Sequence, residues 1–450
     1  MKIFLATAPM HRKSNSSAFE PCLGIHLLTQ ILQDYGCQVD VFWDLDLGVE
    51  QDPHELMTRA LRADLICLSA TSSLNWAYIK TFMELVAQAG EHPPLIVGGV
   101  HPTLVPQHVM RSSPADIVVV GEGERAICEL VDHFRGQRAI EDIKGIYYRR
   151  NGEILSTPKR ELLTSKELGE LPVVTWNGCP GEPTFLPVQT SRGCLMDCKF
   201  CAVPFHRTWR PFPVPHILNS IEACVQVLPG TGSKYIMFAD DCFTANPQIA
   251  VAVLKAITEQ YPQVRYSLHA RVRDLLRPGF LEIMAGSHTQ AISIGVECGY
   301  DEGLRKITKG LKIAEVEELG RLAKSVGVEQ GIHYAYMIGF PWETSAEIKT
   351  TIDFAFSIAS RYGGTLQIIW WVTMPGNAFF KQICDTYGLD DTVFDHPNWG
   401  MSRAMFLKTH PWVTLDEVYR VRDYCNSLAA AHKHIFKMGT AFTLPWTDAE

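Results

Sequence analysis

Twice along this 450-residue chain, short β-rich apolar runs alternate with amphipathic stretches of helical period, and that double alternation restricts the fold more than any other feature. The first series holds strands KIFLATA (2–8), QVDVFW (38–43), LICLSA (65–70), PLIVGG (94–99) and DIVVVG (116–121), with helical patterns at 24–36, 54–62, 77–90 and 124–136. The second holds strands at 185–191, 234–241, 264–271, 290–298, 331–340 and 364–372, again separated by helices. Strands joined through helices pair in parallel, so the expected class is α/β. The first series predicts a doubly wound, Rossmann-like sheet. The second predicts a partial (β/α)6 barrel, with its chemistry at the carboxyl ends of the strands.

Between the series, IKGIYYRR and EILSTP flank Asn151-Gly152, a hairpin signal. A proline-spaced stretch follows, LPVVTWNGCPGEP (171–183). The expected division is therefore 1–138 for the first domain, 139–184 for hairpin and linker and 185–376 for the barrel. Residues 377–450 form a mostly helical region expected to cap the barrel mouth and shape substrate selectivity. The first residues read as a buried strand interrupted by Pro9, not as a signal peptide. The longest apolar run, GTLQIIWWVTMPG (364–376), is too short to span a bilayer. A net charge of −8 argues against nucleic acid as the main partner. Most of the 13 cysteines are singletons inside apolar runs, as expected of core residues in a reducing cytoplasm.

One tight cluster remains, SRGCLMDCKFCAVP (191–204), which sets Cys194, Cys198 and Cys201 in a C-x3-C-x2-C loop just after the first barrel strand. Three thiolates on one loop can hold three irons of a cubane and leave the fourth open to a ligand. With His206, the same loop also spells a three-Cys one-His zinc site. Zinc knuckles stabilise small modules, whereas this loop sits at the mouth of a large barrel, which favours the cluster.

The loop, with aromatic Phe200 before its last cysteine, resembles the signature of radical S-adenosylmethionine enzymes. Further similarity runs through FADDCF (238–243), SLHARVR (267–273), IGVECGYDEGL (294–304) and YMIGFPWET (336–344). The resemblance implies a 4Fe-4S cluster on Cys194, Cys198 and Cys201. Its open iron would chelate S-adenosylmethionine, and one electron would split the sulfonium into methionine and a 5′-deoxyadenosyl radical. It places Phe200, Asp240, Asp241, Arg271, Glu297, Gly339 and Pro341 around that cofactor. Trp342 stands where the family's fifth motif usually has glycine. The blander readings are a helix cap for Asp240 and Asp241 and a surface ion pair with Asp274 for Arg271.

The first series resembles the cobalamin-binding domain that precedes the barrel in one subclass of these enzymes, through PCLGI (21–25), SATSS (69–73), LIVGGVHPTLVP (95–106) and ADIVVVGEGE (115–124). Ser69, Thr71, Ser72, Gly98, Gly99, Thr103, Gly121 and Gly123 are the expected cobalamin pocket. The D-x-H-x-x-G loop that supplies a cobalt-ligating histidine is absent, and His11 is a weak substitute. The resemblance implies methylation of an unactivated carbon of a small-molecule or natural-product substrate through methylcobalamin. The alternative it leaves is cyclisation, oxidation or ring rearrangement without methyl transfer. An electron donor such as flavodoxin or ferredoxin is implied as partner. Trp342, Trp370, Trp371, Trp399 and Trp412 suggest either an apolar, planar substrate or core packing.

Overall fold

The computed structural model describes residues 1–8, 21–43, 53–176, 183, 185–228, 234–396, 399, 402–432 and 444–446. The chain gathers into two compact units. One is Met1–Val174 with Met374–Gly376 and Cys384–Trp399; the other is Thr175–Thr373 with Asn377–Ile383 and Gly400–Glu450.

In the first unit the elements run β1 (Lys2–Thr7), α1 (Leu23–Asp34), β2 (Gln38–Phe42), α2 (Pro53–Leu61), β3 (Leu65–Ser69), α3 (Trp76–Gln88) and β4 (Leu95–Gly98). Then come α4 (Val100–Leu104), α5 (Pro106–Ser112), β5 (Ile117–Val119), α6 (Gly123–Phe134), β6 (Ile146–Arg150), β7 (Glu153–Ser156) and α7 (Ser165–Gly169). The sheet order is β2-β1-β3-β4-β5-β6-β7, and the first five strands are parallel. Alternate residues of β1 face opposite layers. Ile3 and Leu5 pack with Ile25 and Leu32 of α1 and Leu130 of α6, while Phe4 stacks on Phe82 of α3. Because β1 lies between β2 and β3, the chain reverses its winding there, and the crevice outside their carboxyl ends is the ligand position of such sheets.

The hairpin corrects one expectation. Asn151 (φ 51°) and Gly152 (φ 83°) make the left-handed turn their sequence calls for. The strands, however, are no linker: β6 pairs antiparallel with β5 and extends the first sheet. The edge of a parallel sheet accepts an antiparallel hairpin, a possibility that turn chemistry alone does not disclose.

In the second unit the order is β8 (Leu186–Val188), β9 (Ser191–Arg192), β10 (Arg210–Pro211), α8 (Val214–Val227), β11 (Lys234–Phe238), α9 (Pro247–Gln260), β12 (Val264–Ala270), α10 (Val272–Leu275), α11 (Phe280–Ala285) and β13 (Thr289–Glu297). It continues through α12 (Asp301–Lys306), α13 (Ile313–Val326), β14 (Ile332–Ile338), α14 (Ser345–Tyr362), β15 (Thr365–Trp370), α15 (Ala378–Tyr387), α16 (Arg403–Thr409) and α17 (Leu415–Ala431). Six of its strands form one all-parallel sheet in the order β15-β14-β13-β12-β11-β8, an open barrel with β8 and β15 at the edges, and β9 and β10 pair separately and antiparallel. Burial alternates along β14. Ile332, Tyr334, Tyr336 and Ile338 are buried, and His333, Ala335 and Met337, on the opposite face, are only partly so.

Residues 384–399, expected with the barrel cover, belong to the first unit. Among the described residues, no helix is long and apolar enough to cross a membrane. Trp370, Trp371 and Trp399 are at most 2% exposed, as core packing requires.

Candidate active site

The cysteine loop is shaped by backbone before it is shaped by thiols. Gly193 sits at φ 79°, and a Cβ there would meet the Phe205 and Thr208 carbonyl oxygens at 2.9 Å, so only glycine fits. Cys194 N–H donates to Phe205 O at 3.3 Å and Cys201 N–H to Cys198 O at 3.0 Å. The loop is fastened from the segment after β13, where Lys199 N–H reaches Ile307 O at 3.1 Å and Thr308 Oγ1 donates to Asp197 O at 2.8 Å. His206 Nδ1 lies 3.1 Å from Met196 O and its Nε2 3.3 Å from Cys201 O. A neutral imidazole has one N–H, so one of these two contacts is a hydrogen bond that ties the ring to the loop backbone. Among the described residues no group of three His, Cys, Asp or Glu side chains could hold a single metal ion. Three thiolates on one loop that all line a cavity fit a cluster, whose irons are held by separate thiolates.

All three cysteines line one cavity of about 700 Å³, as do Phe200, Asp241, Arg271, Glu297, Lys309 and, from the barrel wall, His269, Ser293, His333 and Gln367. The wall residues are neighbours by register. His269 pairs with Ser293 across β12 and β13, and Ser293 with His333 across β13 and β14. His333 Nδ1 lies 2.9 Å from Thr365 Oγ1. Burial holds His269 below the usual imidazole range, against a pull upward from Asp241.

The expected cofactor residues separate into two groups. Asp241, Arg271, Glu297 and Phe200 face the cavity. Asp240, Gly339 and Pro341 are not among its lining residues. Asp240, 2% exposed, accepts Thr190 N–H at 3.0 Å, Thr190 Oγ1 at 2.9 Å and Ser191 Oγ at 2.6 Å, so it fixes the strand end that launches the cysteine loop. Burial pushes its carboxyl up to about 6, although these hydrogen bonds oppose the shift. Arg271 makes the bidentate pair with Asp274 that its bland reading expected, at 2.7 and 2.9 Å, yet Asp274 is buried and Arg271 still faces the cavity. Glu297 stands at φ 75°, beyond a register shift in β13, and Lys309 Nζ donates to its Oε1 at 2.7 Å. Lys309 also lies 5.7 Å from the Phe200 ring centre. Sequence reasoning missed Lys309, because nothing in ITKGLK distinguishes a cavity lysine from a surface one. Cys242, read as core, also lines the cavity, and its thiol faces Asp274 Oδ2 at 3.8 Å.

Gly339 (φ 84°) ends β14 so close to Trp370 that a Cβ would lie 2.4 Å from the indole. Its N–H and that of Phe340 donate to Glu343 Oε2 at 2.7 and 3.0 Å, while Tyr300 donates to Oε1 at 3.1 Å. Burial nonetheless raises Glu343 from 4.5 to about 7. The folded protein therefore holds this proton more tightly than the unfolded chain. The stability it contributes at pH 4.5 and below is lost as pH rises through about 7. Asp240 adds a component of the same sign. Urea midpoints of the barrel unit should fall from about pH 5 to about pH 8, and Glu343→Gln should flatten that slope. An unchanged slope in the variant contradicts the assignment.

In the first unit, Ser69, Thr71, Ser72, Gly98, Gly99, Thr103, Gly121 and Gly123 gather at or just beyond the carboxyl ends of β3, β4 and β5. The loops brace one another. Thr103 Oγ1 donates to Gly99 O at 2.7 Å and accepts Gly121 N–H at 2.9 Å. Asn75, which sequence reasoning did not single out, donates to Ala8 O at 2.8 Å and to Thr71 Oγ1 at 3.0 Å. Gly99 (φ 106°) approaches β3 so closely that a Cβ would lie 2.5 Å from Ala70 O. Gly121 (φ 92°) has open space where its Cβ would be. Glycines beyond β4 and β5, with hydroxyls such as those of Thr103 and Thr71 committed to holding loops, suit a large ligand bound through backbone contacts at these strand ends. His11 lies outside the described residues.

The chain thus sets a cysteine loop at the strand ends of an open parallel barrel, preceded in sequence by a switched parallel sheet. Residues 15–131 match the B12 binding domain and residues 188–355 the Radical SAM superfamily. An uncharacterized methyltransferase of Pyrococcus horikoshii is 30% identical over 350 residues, 73% of each chain. The cytidylyl-2-hydroxyethylphosphonate methyltransferase of Streptomyces wedmorensis is 21% identical, over 76% of this chain and 75% of the relative. Among solved structures, the radical S-adenosylmethionine methyltransferase TsrM from Kitasatospora setae, with tryptophan and a cofactor analogue bound, shares the fold at TM-score 0.72 and 14% identity. That match covers 100% of this chain and 92% of TsrM. The cobalamin-dependent enzyme OxsB matches at TM-score 0.63 and 18% identity over 79% of this chain, which spans about half (51%) of the OxsB chain. The chain belongs to the cobalamin-dependent radical S-adenosylmethionine enzymes. Its cofactors are a 4Fe-4S cluster, S-adenosylmethionine and cobalamin.

Proposed function

We propose that the protein is a C-methyltransferase acting on an unactivated carbon of a small-molecule or natural-product substrate. The observation that carries this reading is one cavity lined by the three cysteines and by a polar wall, in a chain that also has a cobalamin unit. Relatives that bear methyltransferase names support it. When bound, the cluster and S-adenosylmethionine supply the 5′-deoxyadenosyl radical, and methylcobalamin supplies the methyl group. Cys194, Cys198 and Cys201 hold the cluster. Asp241, Arg271 and Glu297 face the charged groups of S-adenosylmethionine, with Lys309 holding Glu297 in place. The row His269, Ser293 and His333, with Gln367 one step further along the barrel wall, receives the polar groups of the substrate and fixes which hydrogen faces the radical. That row favours a substrate rich in hydroxyl, carbonyl or amide groups over an apolar planar one. A flavodoxin- or ferredoxin-type donor provides the electron, in the cytoplasm.

The test is a co-product assay with CD3-labelled S-adenosylmethionine and a reduced, cluster- and cobalamin-loaded enzyme. S-adenosylhomocysteine and 5′-deoxyadenosine should form together with a CD3-labelled product. Deoxyadenosine with product but without homocysteine would sink methyl transfer and point to cyclisation or rearrangement.

A further inference from the structure

The chain returns to its first unit late in the sequence, through Met374–Gly376 and Cys384–Trp399. The longer return carries a short 3-10 helix, Asp391–Asp395, packed on α3 and α5. Its last residue is a tie point. Asp395 Oδ1 accepts Trp76 Nε1–H at 2.8 Å and Ser112 Oγ–H at 3.4 Å, and His108 Nε2 lies 3.1 Å from the same oxygen. Four residues on, Trp399 Nε1 donates to Ser73 O at 2.8 Å. Phe394 meets the His101 ring edge-on at 5.8 Å, and that ring stacks on Trp76 at 4.9 Å. Trp76, His101 and Phe394 have no exposed surface and Trp399 has 2%, so these are core contacts.

What the return grips are the loops after β3 and β4. Trp76 adjoins Asn75, whose side chain holds Thr71 and accepts Ser72 N–H at 3.2 Å. His101 sits between Gly99 and Thr103, and its Nδ1 lies 2.8 Å from Ser73 Oγ. Without Asp395 and Trp399, the buried Trp76 N–H and the Ser73 carbonyl would each lose a partner, a cost that reopened loops would relieve by taking up water.

We propose that Cys384–Trp399 is part of the cobalamin-binding machinery, with Asp395 as a positioning residue that sets the loops after β3 and β4 for the cofactor. The matched B12 binding region, 15–131, does not include this segment. The inference rests on the cobalamin assignment and is independent of the methyl acceptor.

The test is a titration of full-length, cluster-reconstituted protein with hydroxocobalamin, followed by its absorption spectrum. Asp395→Ala and Trp399→Phe should each weaken binding about tenfold, or about 1.4 kcal/mol, with iron–sulfur absorbance unchanged. Asp395→Asn keeps an acceptor oxygen for Trp76 and should restore affinity to within about twofold of wild type. Wild-type affinity in both Asp395→Ala and Trp399→Phe overturns the proposal, as does a parallel loss of cluster that marks general unfolding. Wild-type protein that takes up no hydroxocobalamin overturns the cofactor assignment beneath it, a result distinguishable because no variant is needed to see it.

Discussion

Alanine at Cys194, Cys198 and Cys201 together should abolish iron–sulfur absorbance and lower 5′-deoxyadenosine formation by at least about 10³-fold, equivalent to about 4 kcal/mol of barrier. The loss should be all-or-none, because S-adenosylmethionine is cleaved only where an open iron can bind it. The loop itself should persist, since Gly193, the His206 contacts and the Lys199 and Thr308 bonds to its backbone involve no thiol. The cobalamin loops lie in the other compact unit, so hydroxocobalamin uptake should stay near wild type. Residual deoxyadenosine at wild-type rates, measured by liquid chromatography of reduced reaction mixtures, would contradict the cluster assignment.

The second large effect is expected at the Lys309–Glu297 pair. Its side chains are 19% and 9% exposed, and Nζ and Oε1 are 2.7 Å apart. A pair this deep contributes little net stability relative to apolar replacements, but losing one member strands the other's charge. Lys309→Met should therefore destabilise the barrel unit by about 3 kcal/mol, read as a lower urea midpoint. The Lys309→Met, Glu297→Gln double variant should recover most of that loss. It should still cleave S-adenosylmethionine poorly, because Glu297 faces the cavity and Lys309 also lies over Phe200 in the cysteine loop. Additive single-variant effects with no recovery in the double variant would show that the pair is not coupled.

Which parts of this site could be read from the sequence follows from how far each interaction reaches along the chain. Strand positions are read from apolar runs of six to ten residues, and the cysteine loop from spacing within eight. Both are local properties, and the structure keeps them. Asp240 and Gly339 were expected at the cofactor because their motifs end strands. Whether such a residue faces the cavity or turns back to hold the loop beneath it depends on neighbours such as Thr190 or Trp370, which motif spacing does not report. Lys309, Asn75 and Asp395 act across tertiary distance, Asp395 on a partner 319 positions away. The hairpin at Asn151-Gly152 shows the same limit: its turn was readable, its docking on β5 was not.

Metal analysis of the anaerobically reconstituted, cobalamin-loaded protein should find about four iron and four sulfide per chain, stoichiometric cobalt, and no zinc retained on the cysteine loop. Stoichiometric zinc with neither iron nor cobalt would overturn both the cluster and the cobalamin assignments.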